Sequence, residues 1–257
     1  KPLNSLGYRD NEPRNSRHVI LFVGDSFTAG RGLKSIDERY SNIVGKELNK
    51  ISDKYTVINI GKSGVDSLGE YNLMKQFSHM TKIKPEIIVL QYYGNDIEYV
   101  ASEYGTKFEG FKTYKDVRHI FKPLIAGSYL LNYLYWSFPR EHLSISYINF
   151  LDRSYKNKLI LTKHKDELKL FIDYARDNSA QLIVIVFPFL NDVEMSDTMY
   201  VNEIADYFRD NKIRVINVSP LVRDIPVADR IVNKNDGHPS IKVNKIVALE
   251  ILKYIHQ

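Results

Sequence analysis

The chain has 257 residues, of which 44% are hydrophobic and 26% charged, a composition typical of a folded globular protein. It contains no cysteine, which excludes disulfides, thiolate catalysis and cysteine metal ligands. The net charge of +5 allows acidic partners, but lysine and arginine are scattered without a long basic run, so we expect no nucleic-acid partner.

The order of apolar runs predicts an α/β protein. Residues 1–17 are polar and contain glycine and proline, so we expect an extended lead-in before one domain over 18–257. Buried strands are predicted over 18–24, 56–60, 86–93, 181–187 and 213–218. Helices are predicted over 40–51, 68–81, 157–177 and 241–255. This alternation predicts a three-layer α/β/α fold, with a doubly wound, flavodoxin-like parallel sheet of five strands.

A segment rich in aromatic residues and leucine, at about 104–155, interrupts the alternation. We expect a helical insertion that packs its apolar side on the sheet. The alternative is a lid or rim over the site, whose exposed aromatics at 121–138 grip sugar rings or lie on a membrane surface. The longest uncharged stretch, 124–138, is shorter than the roughly 20 apolar residues of a membrane-spanning helix. We therefore predict no membrane span.

Polar residues gather where predicted strands end or near the C-terminus. The four groups are Gly24-Asp25-Ser26, Gly64, Gly94-Asn95-Asp96 and Asp236-Gly237-His238. Each group alone is equally compatible with a turn or a helix cap. Loops that follow parallel strands converge in one crevice, however, so we expect these side chains to lie together.

Taken together, these residues supply the parts of acyl-transfer chemistry. A serine hydroxyl such as that of Ser26 needs a base, and an imidazole needs a carboxylate or carbonyl that holds its tautomer. The N–H groups of Ser26 and Gly64 and the amide of Asn95 could converge on one developing oxyanion. We interpret Asp25 and Asp96 as structural residues that accept loop N–H groups.

Four sequence blocks resemble those of the SGNH/GDSL hydrolases, in that family's order: GDSFTAG (24–30), NIGKSG (59–64), YGND (93–96) and DGHPS (236–240). The resemblance implies the SGNH hydrolase fold and a serine esterase. It assigns Ser26 as nucleophile, His238 as base, and Ser26, Gly64 and Asn95 as the oxyanion hole. The opening NSLGYRDNE (4–12) resembles the lead-in of extracytoplasmic bacterial members, which implies a periplasmic or cell-surface location and leaves the cytoplasm open.

One position departs from the family pattern. The family usually places its acid three residues before the histidine, where this chain has Asn235, whereas Asp236 lies two residues before His238. Either Asp236 orients the imidazole, or a backbone carbonyl does and the site works as a dyad. We favour Asp236.

The expected function is hydrolysis of an ester of a small acyl group, such as acetyl, on a substrate such as an acylated glycan of the cell envelope. A polysaccharide O-acyltransferase would use the same site, since its first half-reaction is identical, and a non-catalytic carbohydrate-binding module is the third interpretation. No metal or organic cofactor is required, and no substrate-binding residue is predicted. P-loop and dinucleotide fingerprints are absent from the sequence. A dinuclear metal site built on Asp25, Asn95 and Asp96 would need histidines with ligand-like spacing, and the other histidines of the chain do not have it.

Overall fold

A computed structural model describes residues 3–13, 18–51, 54–105, 108, 117–137 and 141–255, with the backbone alone at 51, 136–137 and 141–145. Five strands form a parallel sheet in the order β2-β1-β3-β4-β5. They are β1 (His18–Val23), β2 (Tyr55–Asn59), β3 (Ile87–Tyr92), β4 (Gln181–Val186) and β5 (Arg214–Asn217). The predicted flavodoxin-like order is confirmed.

Helices and short helical turns connect the strands. In chain order they are α1 (Ser26–Ala29), a 3₁₀ turn (Ile36–Glu38), α2 (Tyr40–Ile51), α3 (Ser67–Thr81), α4 (Glu98–Glu103), α5 (Lys122–Gly127), α6 (Tyr129–Ser137), α7 (Glu141–Lys156), α8 (Lys158–Asp177), α9 (Val193–Ser196), a π-helical turn (Asp197–Val201), α10 (Asn202–Asp210), α11 (Ser219–Val222), α12 (Val227–Arg230) and α13 (Ile241–Ile255). The predicted helices 40–51 and 241–255 are confirmed as α2 and α13.

The sheet is buried on both faces because alternate residues of each strand point into opposite layers. On β1, Leu21 faces a cluster with α3, α7, α8 and α10, whereas Phe22 faces a cluster with α2 and α13. This double burial explains why β1 is an uninterrupted apolar run rather than an alternating one. The three-layer architecture is confirmed.

The strand order places a topological switch point at β1 and β3. The chain crosses from β1 to β2 on one side of β1, and from β2 to β3 on the other side. The connections diverge at this point, which leaves a crevice outside the carboxyl ends of the two strands. Ser26 follows β1, and Asn95 follows β3.

A small antiparallel hairpin lies outside the main sheet and was not predicted. It consists of β6 (Ile231–Asn233) and β7 (Asp236–Pro239). The hairpin carries Asp236 and His238. Its sequence lacks the alternation of apolar and polar residues that marks a strand, which explains why the pattern gave no signal.

Among the described residues of the insertion, α7 and Phe108 pack on the core as predicted, whereas α5 and α6 mostly do not. Phe150, Leu151 and Tyr155 of α7 are buried in the core. By contrast, Ile120 and most apolar side chains of α5 and α6 are exposed. The physical reason is that the apolar side chains of α6 spread over about 200° of the helix surface, so contact with α5 cannot cover them all. The side chains of Trp136 and Phe138 lie outside the described residues.

The described part of the lead-in, 3–13, forms turns and bends against the edge of the sheet. The Asp10 carboxylate accepts hydrogen bonds from the Asn59 backbone N–H (2.9 Å) and from Arg39 Nη2 (2.8 Å). Asp10 and Arg39 are both buried. The segment is therefore tied to the end of edge strand β2 by a hydrogen bond from the strand's backbone, and to the residue before α2 by a buried ion pair. Within the described residues, no helix has the length and apolarity that crossing a bilayer requires.

Candidate active site

Ser26 begins α1, directly after the carboxyl end of β1. Asp25 caps this short helix, with its Oδ1 atom accepting from the Phe27 N–H at 2.8 Å. The Asp25 N–H in turn donates to Gln91 Oε1 at 3.1 Å. A Cβ atom on Gly24 would lie 2.1 Å from Thr28 Oγ1, so only glycine fits there. The turn that presents Ser26 is therefore tightly packed and braced from β3.

The structure brings Ser26 and His238 together, although 212 residues separate them. His238 Nε2 lies 2.8 Å from Ser26 Oγ. His238 Nδ1 is hydrogen-bonded to Asp236 Oδ1, which also accepts from the His238 backbone N–H at 3.2 Å. Because an ionised carboxylate only accepts, Nδ1 carries the proton, and Nε2 is left to accept from the serine hydroxyl. This is the protonation state that a general base needs.

Of the two neighbours considered as partners of the histidine, Asp236 makes the contact. Asn235 is exposed, and its backbone N–H donates to Asn233 Oδ1 at 2.9 Å within the hairpin turn. Burial acts to raise the pKa of Asp236, but the hydrogen bonds from His238 and the charges of His238 and Arg31 outweigh it and lower that pKa. Asp236 thus stays ionised at neutral pH.

The imidazole of His238 packs against a cluster of aromatic side chains. The ring centroids of His238 and Phe27 are 5.3 Å apart, and the Phe27 ring in turn lies against Tyr93 (4.2 Å) and Phe187 (5.2 Å). The His238 side chain keeps 17% of its surface exposed. The His238 ring is therefore packed against Phe27, and part of its surface remains accessible to solvent.

Asn95 lies half-buried in the turn after β3. Two contacts brace this turn: Asp96 Oδ2 accepts from the Tyr93 N–H at 2.9 Å, and the Tyr155 hydroxyl donates to the Gly94 carbonyl at 3.0 Å. Burial raises the pKa of Asp25, and a hydrogen bond from the Asn95 side chain is among the interactions that partly oppose this. Asn95 thus lies beside the residue that precedes Ser26.

Gly64 lies on the loop between β2 and α3, which is attached to the serine turn. The Lys62 N–H donates to the Gly24 carbonyl at 3.0 Å. Gly64 has a φ of +78°, is exposed, and a Cβ atom there would meet nothing within 4 Å. The positive φ favours glycine. Its N–H belongs to a loop that borders the serine and leaves open space for a ligand.

Three carboxyl groups are buried beneath these turns. Asp25 and Asp96 accept the loop N–H groups that their structural interpretation predicted. Glu70 was not predicted, and neither of its carboxyl oxygens has a hydrogen-bond partner among the described residues. Burial, and then the charges of Asp96, Asp25 and Asp66, raise the pKa of Glu70 well above its usual range. The sequence did contain a signal for its burial, because Glu70 is a lone acid on the same helical face as Met74 and Phe77.

A groove of about 690 Å³ lies beside the serine turn. It is lined by Leu3, Leu6, Gly7, Tyr8, Arg9, Ala29, Arg31, Gly32, Gly61, Lys62, Ser63, Leu73, Gln76, Phe77, Met80 and Thr81. Three of these residues are cationic and none is acidic. Ser26, Asn95 and His238 do not line the groove, so it adjoins the catalytic crevice rather than containing it. Among the described residues, no cluster of three or more histidine or acidic side chains could hold a metal ion.

A family model described as the GDSL-like Lipase/Acylhydrolase family matches residues 22–245. Similar solved structures show the same fold. TesA has 14% identity and a TM-score of 0.56, with 92% of this chain and 97% of that chain covered. The esterase EstA from Pseudoalteromonas sp., in a structure inhibited by monoethylphosphonate, has 13% identity and a TM-score of 0.55, with 93% and 100% covered.

A third similar structure is a catalytic mutant of Axe2, an acetylxylan esterase from Geobacillus stearothermophilus. It has 13% identity and a TM-score of 0.54, with 93% of this chain and 94% of that chain covered. None of the curated proteins compared with the chain matches it in sequence. The resemblance seen in the four sequence blocks thus extends over most of the chain.

Proposed function

Because the chain belongs to the GDSL-like Lipase/Acylhydrolase family, and is a carboxylic ester hydrolase, we propose that it works through an acyl intermediate on Ser26. In this proposal His238 is the general base, and Asp236 orients it. The observation that carries the proposal is the continuous line of hydrogen bonds from Ser26 Oγ through the imidazole to the Asp236 carboxylate.

The proposed reaction has two half-reactions. His238 Nε2 takes the Ser26 proton as Oγ attacks the ester carbonyl, and the negative oxygen is bound by the N–H groups of Ser26 and Gly64 and by the Asn95 amide. The bond to the alcohol breaks, and His238 returns the proton to the departing oxygen. Water then attacks the acyl-enzyme with His238 again as base, which releases the carboxylic acid and restores Ser26.

We further propose that the acyl group is small, such as acetyl, and that the alcohol is a carbohydrate of the cell envelope, outside the cytoplasm. Two observations support this choice. Axe2, which has a similar fold, is described as an acetylxylan esterase. The groove beside Ser26 combines Arg9, Arg31 and Lys62 with polar and apolar side chains, which suits a polar, negatively charged alcohol larger than the acyl group.

A polysaccharide O-acyltransferase is a second candidate that the same groove favours. Hydrolysis needs only a water molecule for the second half-reaction, whereas transfer needs a bound acceptor hydroxyl. A groove of about 690 Å³ beside the nucleophile is large enough for one or two sugar rings. The two activities differ only in which hydroxyl attacks the acyl-enzyme.

A panel of 4-nitrophenyl esters of increasing acyl length, assayed with and without a glycan acceptor, tests these proposals. We expect acetate to be the best substrate, free acid to be the product, and a serine-directed phosphonate to label the wild type but not Ser26→Ala. Accumulation of acylated glycan would instead favour the transferase. If the phosphonate fails to label the wild type and no ester is cleaved, the chain is a binding module rather than an enzyme.

A further inference from the structure

A contiguous stretch of the insertion exposes apolar side chains to solvent. We name it the α5–α6 patch and define it by Ile120, Phe121, Leu124, Tyr129, Leu130, Leu131, Tyr133 and Leu134. Tyr129 is 99% exposed, Ile120 74% and Tyr133 69%. Contiguous apolar surface of this kind is uncommon in monomeric soluble proteins and marks a site of interaction. We propose that the α5–α6 patch binds the protein to the surface of an anionic phospholipid membrane.

The distribution of the patch around α6 favours lipid over a protein partner. Successive residues of a helix are about 100° apart, so Tyr129 and Leu131 are separated by about 200° around the axis. Both are exposed, as are Leu130 and Tyr133 between them in angle. A protein groove covers one face of a helix and would leave the remainder in water. The headgroup and outer acyl region of a bilayer can surround such a helix on most sides.

The sequence of this segment favours an anionic lipid. Residues 117–140 contain Arg118, Lys122 and Arg140 and not one aspartate or glutamate. Arg118 is exposed next to Ile120. Cationic residues beside tyrosines and leucines match the chemistry of a bilayer interface with negatively charged headgroups. The whole chain is also positively charged, at +5, which adds long-range attraction.

The insertion is anchored beside the catalytic crevice. It follows α4, which begins three residues after Asn95, and the Tyr147 hydroxyl of α7 is hydrogen-bonded to Glu98 of α4. The Tyr155 hydroxyl of α7 donates to the Gly94 carbonyl. The C-terminal helix of the insertion is thus attached to α4 and to the turn that carries Asn95. Binding of the patch to a membrane would hold the esterase site near that surface, whichever ester it hydrolyses.

The test is flotation of the whole protein with lipid vesicles. One set contains phosphatidylcholine alone, and the other contains equal parts of phosphatidylcholine and phosphatidylglycerol. We expect the wild type to float with the second set, and more weakly at high salt. The triple variant Tyr129→Ser, Leu130→Ser and Tyr133→Ser should lose at least about tenfold in partitioning, because it removes apolar surface that enters the interface.

A matched control removes exposed apolar residues outside the patch. Leu159 and Leu249 are 54% and 58% exposed, and the variant Leu159→Ser and Leu249→Ser should float like the wild type. Hydrolysis of a soluble ester at the wild-type rate shows that the patch variant is folded. If soluble esters prove not to be substrates, an unchanged unfolding midpoint serves the same purpose.

Three results would overturn the proposal. The first is the absence of flotation with anionic vesicles, or flotation that the patch variant retains. The second is a dimer in light scattering that the patch variant abolishes, because a second copy of the chain would then cover the patch. The third is binding to a soluble polysaccharide that the patch variant loses, because the patch would then be a sugar-binding rim.

Discussion

Asp236 and His238 occupy alternate positions of the short strand β7, and their side chains meet on the same side of it. In a strand, residues i and i+2 point to the same face, so a separation of two brings the carboxylate to Nδ1 of the imidazole. The residue at the usual family position, Asn235, precedes the strand and is exposed. The extended backbone of β7 thus explains how the carboxylate reaches the imidazole at the compact Asp-Gly-His spacing.

Substitution at the two neighbouring positions distinguishes the partners of the histidine. We expect Asp236→Ala to lower kcat for 4-nitrophenyl acetate by about 10³- to 10⁴-fold, because the imidazole loses the group that holds its tautomer. Asn235→Ala should stay within about twofold of the wild type, since its side chain is exposed. Steady-state kinetics of both variants provide the measurement. Equal losses would indicate that the hairpin, rather than the carboxylate, determines the activity.

Removal of the Asn95 amide should destabilise the transition state more than the bound substrate. We expect Asn95→Ala to reduce kcat by about 100- to 1000-fold with little change in KM, as for the loss of one oxyanion donor. A small loss of kcat together with a large rise in KM would instead indicate that the amide binds the substrate in the ground state. Circular dichroism of the variant tests that the fold is retained, which matters because Asn95 also borders the buried Asp25.

The ion pair of Asp10 and Arg39 should contribute to stability far more than an exposed pair does. Asp10→Ala leaves a buried guanidinium without its carboxylate, so we expect a loss of about 3–5 kcal/mol in the free energy of unfolding. Glu47→Ala, which removes the exposed partner of Lys50, is the control and should cost less than about 1 kcal/mol. Urea unfolding measures both. Similar values for the two variants would contradict the buried placement of Asp10.

The buried Glu70 should make stability depend on pH. Its pKa is raised in the folded protein, chiefly by burial, so the folded state keeps a proton that the unfolded state releases above its ordinary pKa of about 4.5. The free energy of unfolding should therefore fall as pH rises from that value towards the raised pKa. We expect Glu70→Gln, which cannot ionise, to gain stability relative to wild type in urea unfolding as pH rises above about 4.5. Parallel pH profiles for the two proteins would refute this placement of the carboxyl group.

Elements with strong periodicity could be predicted from the sequence. The strands around the switch point are continuous apolar runs because they are buried on both faces, and α2 and α13 have the predicted bounds because one face of each packs on the sheet. The residues of the candidate site could also be predicted from the sequence. Parallel strands bring their following turns together, and the chemistry of Ser26, Asn95 and His238 is specific in combination.

Other features depend on tertiary contacts that no local pattern encodes. The hairpin that carries Asp236 is three and four residues long in its two strands, too short for a recognisable alternation. The burial of Asp10 depends on Arg39, about 30 residues away. For the α5–α6 patch the sequence left two outcomes open, a packed insertion or exposed aromatics, since an apolar helix has the same sequence pattern whether a core or a membrane covers it.

The hairpin has a consequence for how this catalytic apparatus changes during evolution. Asp236 and His238 reside on one ribbon of nine residues that, within the described residues, pairs with no strand of the main sheet, whereas Ser26 follows the first strand of that sheet. Exchanges at its exposed positions Asn233, Lys234 and Asn235 can therefore re-orient Asp236 and His238 together while strand register stays as it is, whereas Ile231 belongs to the core. Directed evolution of pH optimum or leaving-group preference would profit most from libraries confined to these exposed positions.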